Sequence, residues 1–350
     1  MKADQRKSSR GDPRRARRVA RTVEPIVGAA LLCVACPAGA ENWFPVRTHN
    51  PFLQIYGVPA FQGADVLSPG RSDWRFTFDI ANHADDSATS TESITLDGES
   101  YFLNFAARRG MTPWLELGID VPVVAHADGM LDNVIEGWHD LWGMSNANRT
   151  GPPNELEFVY ANPAIDDYAL YSGGAGLGDV RLHAAVPLRF AALPPTAALT
   201  VKAGLKLPTG DAKALRGSGA ADVSLAVYWS DTEAFGIDRL DVTAHAGVLA
   251  AGDGDLFGEI QESTVPFGGF AADWRFNERL RAMAALYAQG RFVESDLDEL
   301  GTSLQLIVGG EYRFAGGYTL SFGIVEELFS DATVDFAVQF SLRRGLGSDG

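Results

Sequence analysis

Cysteine is almost missing from this chain. The 350 residues contain two, Cys33 and Cys36, both within the first 40 positions. A chain cut after Ala40 would contain none, which excludes a disulfide framework, a thiolate nucleophile and a cysteine-based metal site. Long apolar runs are missing too. No stretch of about 18 uncharged apolar residues occurs, so no membrane-spanning helix is expected. Basic charge is also scarce, with 29 Lys and Arg against 45 Asp and Glu. An acidic chain makes a poor partner for nucleic acid, whose phosphates require a basic surface.

The basic residues that do exist are unevenly placed. Nine of them (Lys2, Arg6, Lys7, Arg10, Arg14, Arg15, Arg17, Arg18 and Arg21) precede the apolar run 26–35, which leads to Ala38-Gly39-Ala40. A basic region, an apolar region and an A-x-A site form the pattern of a secretory signal peptide, here expected to span residues 1–40. Its removal takes away nine basic and three acidic residues, so the net charge moves from −16 to −22.

What is abundant is alternation. Hydrophobic residues make up 46% of the chain against 21% charged, which excludes a disordered protein. The clearest stretch runs from Gly176 to Trp229. Val180, Leu182, Ala184, Val186 and Leu188 share one strand face, opposite Asp179, Arg181, His183 and Arg189. Leu199, Val201, Ala203 and Leu205 repeat the pattern opposite Thr200, Lys202 and Lys206. Strands that are apolar on one face and charged on the other suit a half-exposed sheet or a barrel in a bilayer. About twelve such segments lie between 71 and 343, each near the 9–11 residues that a tilted strand needs to cross a bilayer. Their connections alternate between short turns and long polar loops (82–91, 125–176, 208–220, 250–265, 291–301), the asymmetry of outer-membrane barrels.

The expected architecture is therefore all-β: a single antiparallel transmembrane barrel of about 12 strands in the cell outer membrane, over residues 71–343. Residues 41–70, rich in Pro and aromatics, are read as a periplasmic strap or a lumenal plug. The long loop 125–176 contains MLDNVIEGWHDLWGM, whose apolar residues fall at helical spacing. This predicts a short extracellular helix, with Trp138, His139 and Trp142 as a candidate lid or simply as packing. Glu136 and His139 have metal-ligand spacing without a second pair, so no metal is expected.

Asp179, Arg181, His183, Arg189, Lys202, Lys206 and Asp222 are the candidate lumen-lining residues. Two readings stay open for them: opposite charges pair and close the lumen, or a basic stripe selects anionic solutes. Enzymatic readings find little support. G-x-S-x-G, H-E-x-x-H and phosphate-loop motifs are missing, and no histidine is followed two positions later by serine. No catalytic, cofactor-binding or metal residues are expected.

GLGDVRL followed by AGLKLPTGD and a G-S-G turn resembles a broad group of outer-membrane transport barrels, including those linked to phenol-degradation gene clusters. NPFLQIYGVP, IEGWHDLWGM…NRTGPPNELEF and GGAGLGDV together resemble a proteobacterial family of unknown function, number 3187 in the unknown-function series. The resemblance covers about residues 45–342. It implies an outer-membrane barrel and supplies no substrate or catalytic residue. The function to expect is a passive channel or transporter for small molecules, hydrophobic ones included. The alternative is a non-conducting surface or envelope-integrity protein that acts through its outer loops. Expected partners are outer-membrane lipid, lipopolysaccharide and the barrel-assembly machinery.

Overall fold

A computed structural model describes residues 45–129, 155–328 and 336–346. Twelve strands form the wall: β1 (Ser72–Ala88), β2 (Ser93–Thr112), β3 (Leu115–Ala127), β7 (Arg181–Leu188), β8 (Ala197–Lys206) and β9 (Asp222–Asp231), then β10 (Leu240–Ala250), β11 (Thr264–Arg275), β12 (Leu280–Gln289), β13 (Ser303–Arg313), β14 (Tyr318–Glu327) and β15 (Phe336–Leu346). Each pairs antiparallel with its neighbours, and β1 bonds to both β2 and β15, so the sheet closes on itself. Closure removes free edges, which is what lets a sheet cross a bilayer with its backbone polar groups satisfied. Among the described residues the only helical elements are single 3-10 turns.

The alternation read from the sequence decides which face is which. Phe76, Phe78, Leu103, Phe105, Leu182, Val186, Leu225, Phe322 and Phe340 are exposed on the outer face. Thr77, Asp79, Asn104, Lys202, Thr243, Gln305 and Gln339 are buried on the inner one. The lower end, where the turns are short, carries an exposed aromatic at five successive turns: Trp114, Phe190, Phe235, Phe276 and Phe314. Such a girdle places amphipathic rings at the membrane–water boundary.

The wall differs from expectation at the upper, long-loop end. Residues 82–91 were expected to form a loop, but β1 continues to Ala88 and β2 resumes at Ser93. Backbone pairing needs no apolar face once strands leave the hydrocarbon, so polar composition there does not end a strand. Above Gly98, β2 exchanges β3 for β4 (Glu157–Ala161), which pairs in turn with β5 (Tyr168–Leu170). The backbone of Gly98 has φ +131, a conformation that disfavours any side chain and permits this change of partner. On the other side β7 pairs with β3 only from Glu116 to Asp120, and β6 (Gly174–Leu177) takes over from Val123 to His126.

An apolar cluster fills the upper interior. Phe158 and Tyr160 on β4 pack with Phe52, Phe257, Phe292, Ile94, Leu96 and Leu215, all essentially free of solvent. Phe52 belongs to the segment that precedes β1, which brings that segment into the barrel.

Candidate functional site

Residues 45–67 run through the barrel interior as a re-entrant turn. The chain stands at mid-height at Pro45, rises to a turn around Asn50–Tyr56, and descends to the lower rim, where Gly70 N donates to Gly110 O at 2.9 Å. Val46, Phe52, Leu53, Ile55, Tyr56 and Phe61 are all at most 3% exposed. A loop-like segment can be buried only if its backbone groups find partners. Here the wall supplies them. Gln339 donates to Pro45 O at 3.2 Å, Lys206 to Ile55 O at 3.0 Å, Arg181 to Tyr56 O at 3.1 Å, Tyr287 to Pro59 O at 3.2 Å and Lys202 to Gly63 O at 2.7 Å. Thr200 donates to Ala64 O. In return the segment's own amides donate to wall acceptors: Gly57 N to Asp222 (2.8 Å), Ala64 N to Ser230 (2.9 Å) and Leu67 N to Glu116 (2.7 Å). Arg47 lies 3.5 Å from Asp79 and stacks over the Phe102 ring.

Lys206 is the strongest single fixture. Its ammonium sits 2.8 Å from Asp179 and 3.1 Å from Asp222 and also donates to Ile55 O and Ser218 Oγ. Asp179 accepts from Gly210 N (2.8 Å) and Ser218 N (3.1 Å), and Asp222 from Gly57 N and Gly252 N (3.0 Å). Every charged atom is therefore satisfied, as a buried ion cluster requires. A Cβ at Gly57 would stand 2.9 Å from Lys206 Cβ and 3.1 Å from Asp222 Cβ, so only glycine lets the backbone approach this closely.

The sequence motifs now have a physical role. Asp179 of GLGD closes the loop 208–220. Thr209 of PTGD accepts from Val180 N (2.9 Å) and donates to Gly178 O (2.7 Å), and Asp211 caps the following turn at Lys213 N and pairs with Arg216 at 3.1 Å. These residues build a rigid upper rim around Lys206.

The other candidate lumen residues separate into distinct environments. His183 lies 3.8 Å from Asp120. Arg181 faces the interior and its side chain donates to Tyr56 O at 3.1 Å. Arg189 lies beyond the end of β7 and is exposed in the lower turn, because the strand ends at Leu188. Trp138, His139 and Trp142 fall outside the described residues. The lower lumen holds a belt of interleaved charges: Arg343–Asp73 at 2.6 Å, Arg108–Glu116 at 3.4 Å, and Arg281–Asp241 at 3.3 Å. Lys206 is locked between two carboxylates, whereas Lys202 has no carboxylate at salt-bridge distance among the described residues.

The candidate lumen residues left out several inward groups. Tyr228, His245 and Tyr287 line the interior beside Lys202, and their inward parity was the signal that could have found them. Lys202 stands 4.6 Å above the Tyr228 ring, and Tyr228 stacks on His245 at 4.9 Å and 9°. A serine–histidine arrangement also escaped the local motif search because it joins three strands. Ser100 Oγ lies 3.0 Å from both His83 Nε2 and His126 Nδ1, and His126 Nε2 is 3.4 Å from Leu215 O. Ser100 is 4% exposed, and the Phe158 ring stands nearly perpendicular to both imidazoles. The arrangement ties β1, β2 and β3 to the upper rim loop. Within the segment itself, burial pushes the Asp65 carboxyl up to about 6, against the pull of Lys202 and Arg108.

Among protein families, the one described as "Protein of unknown function (DUF3187)" matches residues 21–346. No curated protein matches in sequence. Among solved structures, the COG4313 outer membrane channel from Pseudomonas putida F1 superposes with a TM-score of 0.52 at 13% identity, covering 81% of this chain and 98% of that one. At this identity the likeness shows the fold, a closed outer-membrane barrel. The toluene transporter TbuX from Ralstonia pickettii gives a TM-score of 0.39 at 12% identity, over 80% and 90% of the two chains, too distant to carry an argument.

Proposed function

This chain belongs to the DUF3187 family, and from that premise we propose that it is an outer-membrane channel for small molecules whose lumen is held shut by its own residues 45–67. The observation that carries this reading is the set of wall donors that bind the segment's backbone carbonyls. The donors come from β7, β8, β12 and β15, and acceptors on β3 and β9 bind the segment's amides in return, so six strands of the wall hold the segment. A neutral hydrogen bond contributes about 1 kcal/mol net and a charge-assisted one about 1.5–3, so the closed arrangement is the resting one. The bonds are nevertheless separate and side-chain mediated, which allows the segment to leave without unfolding the wall.

The same reading assigns residues 1–40 to a secretory leader, 41–70 to a lumenal plug and 71–343 to the barrel. It places the long connection between β3 and β7 outside the cell, with a short helix carrying Trp138, His139 and Trp142 over the mouth. Lipopolysaccharide against the outer loops and the barrel-assembly machinery are the partners this address implies. No enzymatic role is proposed.

A filled lumen would also suit a non-conducting surface protein, and one experiment separates the two. Ala64→Cys with Ser230→Cys, at the two residues joined by the 2.9 Å bond from Ala64 N to Ser230 Oγ, should form a disulfide that fixes the plug to β9. In a planar bilayer the refolded mature chain should show opening events that vanish on oxidation of this pair and return on reduction. Silence in both redox states from heat-modifiable, folded protein would overturn the channel and leave the surface role.

A further inference from the structure

One position in the lumen looks built for a guest, and the plug occupies it with a stand-in. Five consecutive strands each contribute one residue at mid-height: Lys202 (β8), Tyr228 (β9), His245 (β10), Gly269 (β11) and Tyr287 (β12). Their register confirms the neighbourhood, since Tyr228 pairs with His245, His245 with Gly269 and Gly269 with Tyr287. Gly269 leaves a slot. A Cβ there would stand 2.8 Å from the Phe61 ring and 2.9 Å from the His245 ring. The Phe61 ring fills that slot edge-on to His245 at 4.8 Å, and two residues later the Gly63 carbonyl accepts from Lys202 at 2.7 Å.

The fit is incomplete in a telling way. Tyr228 Oη, His245 Nδ1 and His245 Nε2 are buried and find no hydrogen-bond partner among the described residues. Tyr228 is fully buried and His245 is 6% exposed. Buried polar groups are normally paired, and a buried ammonium normally faces an anion rather than one neutral carbonyl. We propose that this five-strand slot is a binding site for a small aromatic molecule bearing an anionic oxygen, such as an aryl carboxylate, and that Phe61 and the Gly63 carbonyl mimic its ring and its oxygen. The ring takes the Phe61 position between His245 and Gly269. The anionic oxygen takes the place of the Gly63 carbonyl on Lys202, with Tyr228 as a further donor. A charged acceptor holds an ammonium more strongly than a neutral carbonyl does, so the guest displaces the plug residues that imitate it. This deepens the channel reading and rests on it for the route by which the guest arrives.

Benzoate is the test probe, with benzyl alcohol as the neutral ring and acetate as the anion without a ring. Binding is measured by calorimetry on the refolded mature chain in detergent. Phe61→Ala, which empties the slot, should bind benzoate at least about tenfold more tightly than either comparison compound. Adding Lys202→Met should bring benzoate down to the level of benzyl alcohol, and adding Gly269→Leu should remove binding of the ring. Equal affinities for the three probes, or benzoate binding indifferent to Lys202→Met, would overturn the proposal. Should Phe61→Ala not fold, a Gly63→Cys chain decides instead: benzoate should accelerate thiol labelling of that position several-fold over benzyl alcohol, and equal rates would overturn the proposal. Binding without conductance in any redox state would remove the channel and keep the site; conductance without benzoate preference would remove the site and keep the channel.

Discussion

Lys206→Met tests how the upper rim and the plug are coupled. The substitution keeps most of the side-chain volume and removes one charge. It leaves Asp179 and Asp222 buried at 2.8 and 3.1 Å from where the ammonium stood, and it deletes the bond to Ile55 O on the plug. Removing one partner of a buried ion pair typically costs 3–5 kcal/mol, because the remaining charge is stranded. Each carboxylate here keeps two backbone amide donors (Gly210 and Ser218 for Asp179, Gly57 and Gly252 for Asp222), which places the expected loss near the low end, about 3 kcal/mol. Urea unfolding of the vesicle-inserted barrel, followed by tryptophan fluorescence, reads this directly. Adding Asp222→Asn removes one stranded charge and should restore about half of the loss. A Lys206→Met chain within about 1 kcal/mol of the parent, below the range for a broken buried pair, would refute the view that this cluster is structural and would return Lys206 to the solute-facing stripe.

Three further outcomes follow from other contacts. Gly57→Leu must push against Lys206 and Asp222, so the plug should dislodge and spontaneous openings in a planar bilayer should become more frequent than in the parent; an unchanged opening frequency would show that the plug is not held at this point. Asp65 has its carboxyl raised to about 6 in the docked plug, above the usual range near 4, so docking is strongest below about 4 and weakens as pH rises through 6, by on the order of tenfold to a hundredfold. Thiol labelling of a plug cysteine should therefore quicken over that window, and Asp65→Asn should flatten the profile. Glu92 behaves in the opposite sense. Burial raises its carboxyl, but donors from Tyr160 (2.7 Å), Asp296 N (2.6 Å), Ser295 (2.9 Å) and Asn162 (3.2 Å) outweigh this and hold it below the usual range. This pin between the 89–92 turn, β4 and the 291–301 loop is present above the ordinary glutamate range and is lost as pH falls through the lowered value. Glu92→Ala should speed hydrogen exchange in those segments at neutral pH; equal exchange would show that the four bonds contribute nothing.

Much of the wall was legible in the chain because a barrel's periodicity is local. Phe76-Thr77-Phe78-Asp79 declares which side chains meet lipid without reference to any other strand, and twelve such segments with alternating short and long links state closure as well. Polar strand extensions such as His83–Ala88 were not legible, because once a strand leaves the bilayer nothing in its composition separates it from a loop. Arg189 shows the converse: alternation continued past the point where pairing with β8 ended.

The lumen was legible only as a set of inward residues. Lys202 and Lys206 have the same parity on the same strand, yet one is locked by Asp179 and Asp222 and the other faces a plug carbonyl. That difference comes from partners 16 to 151 positions away in the chain, which alternation cannot see. The sequence by itself therefore determined the barrel, its strand faces and its membrane setting, since each follows from a period of two and a single apolar solvent. The tertiary structure alone decided what fills the barrel, which charges are spent on holding it and which remain for a guest, because those depend on closure bringing five strands and one irregular segment to the same point.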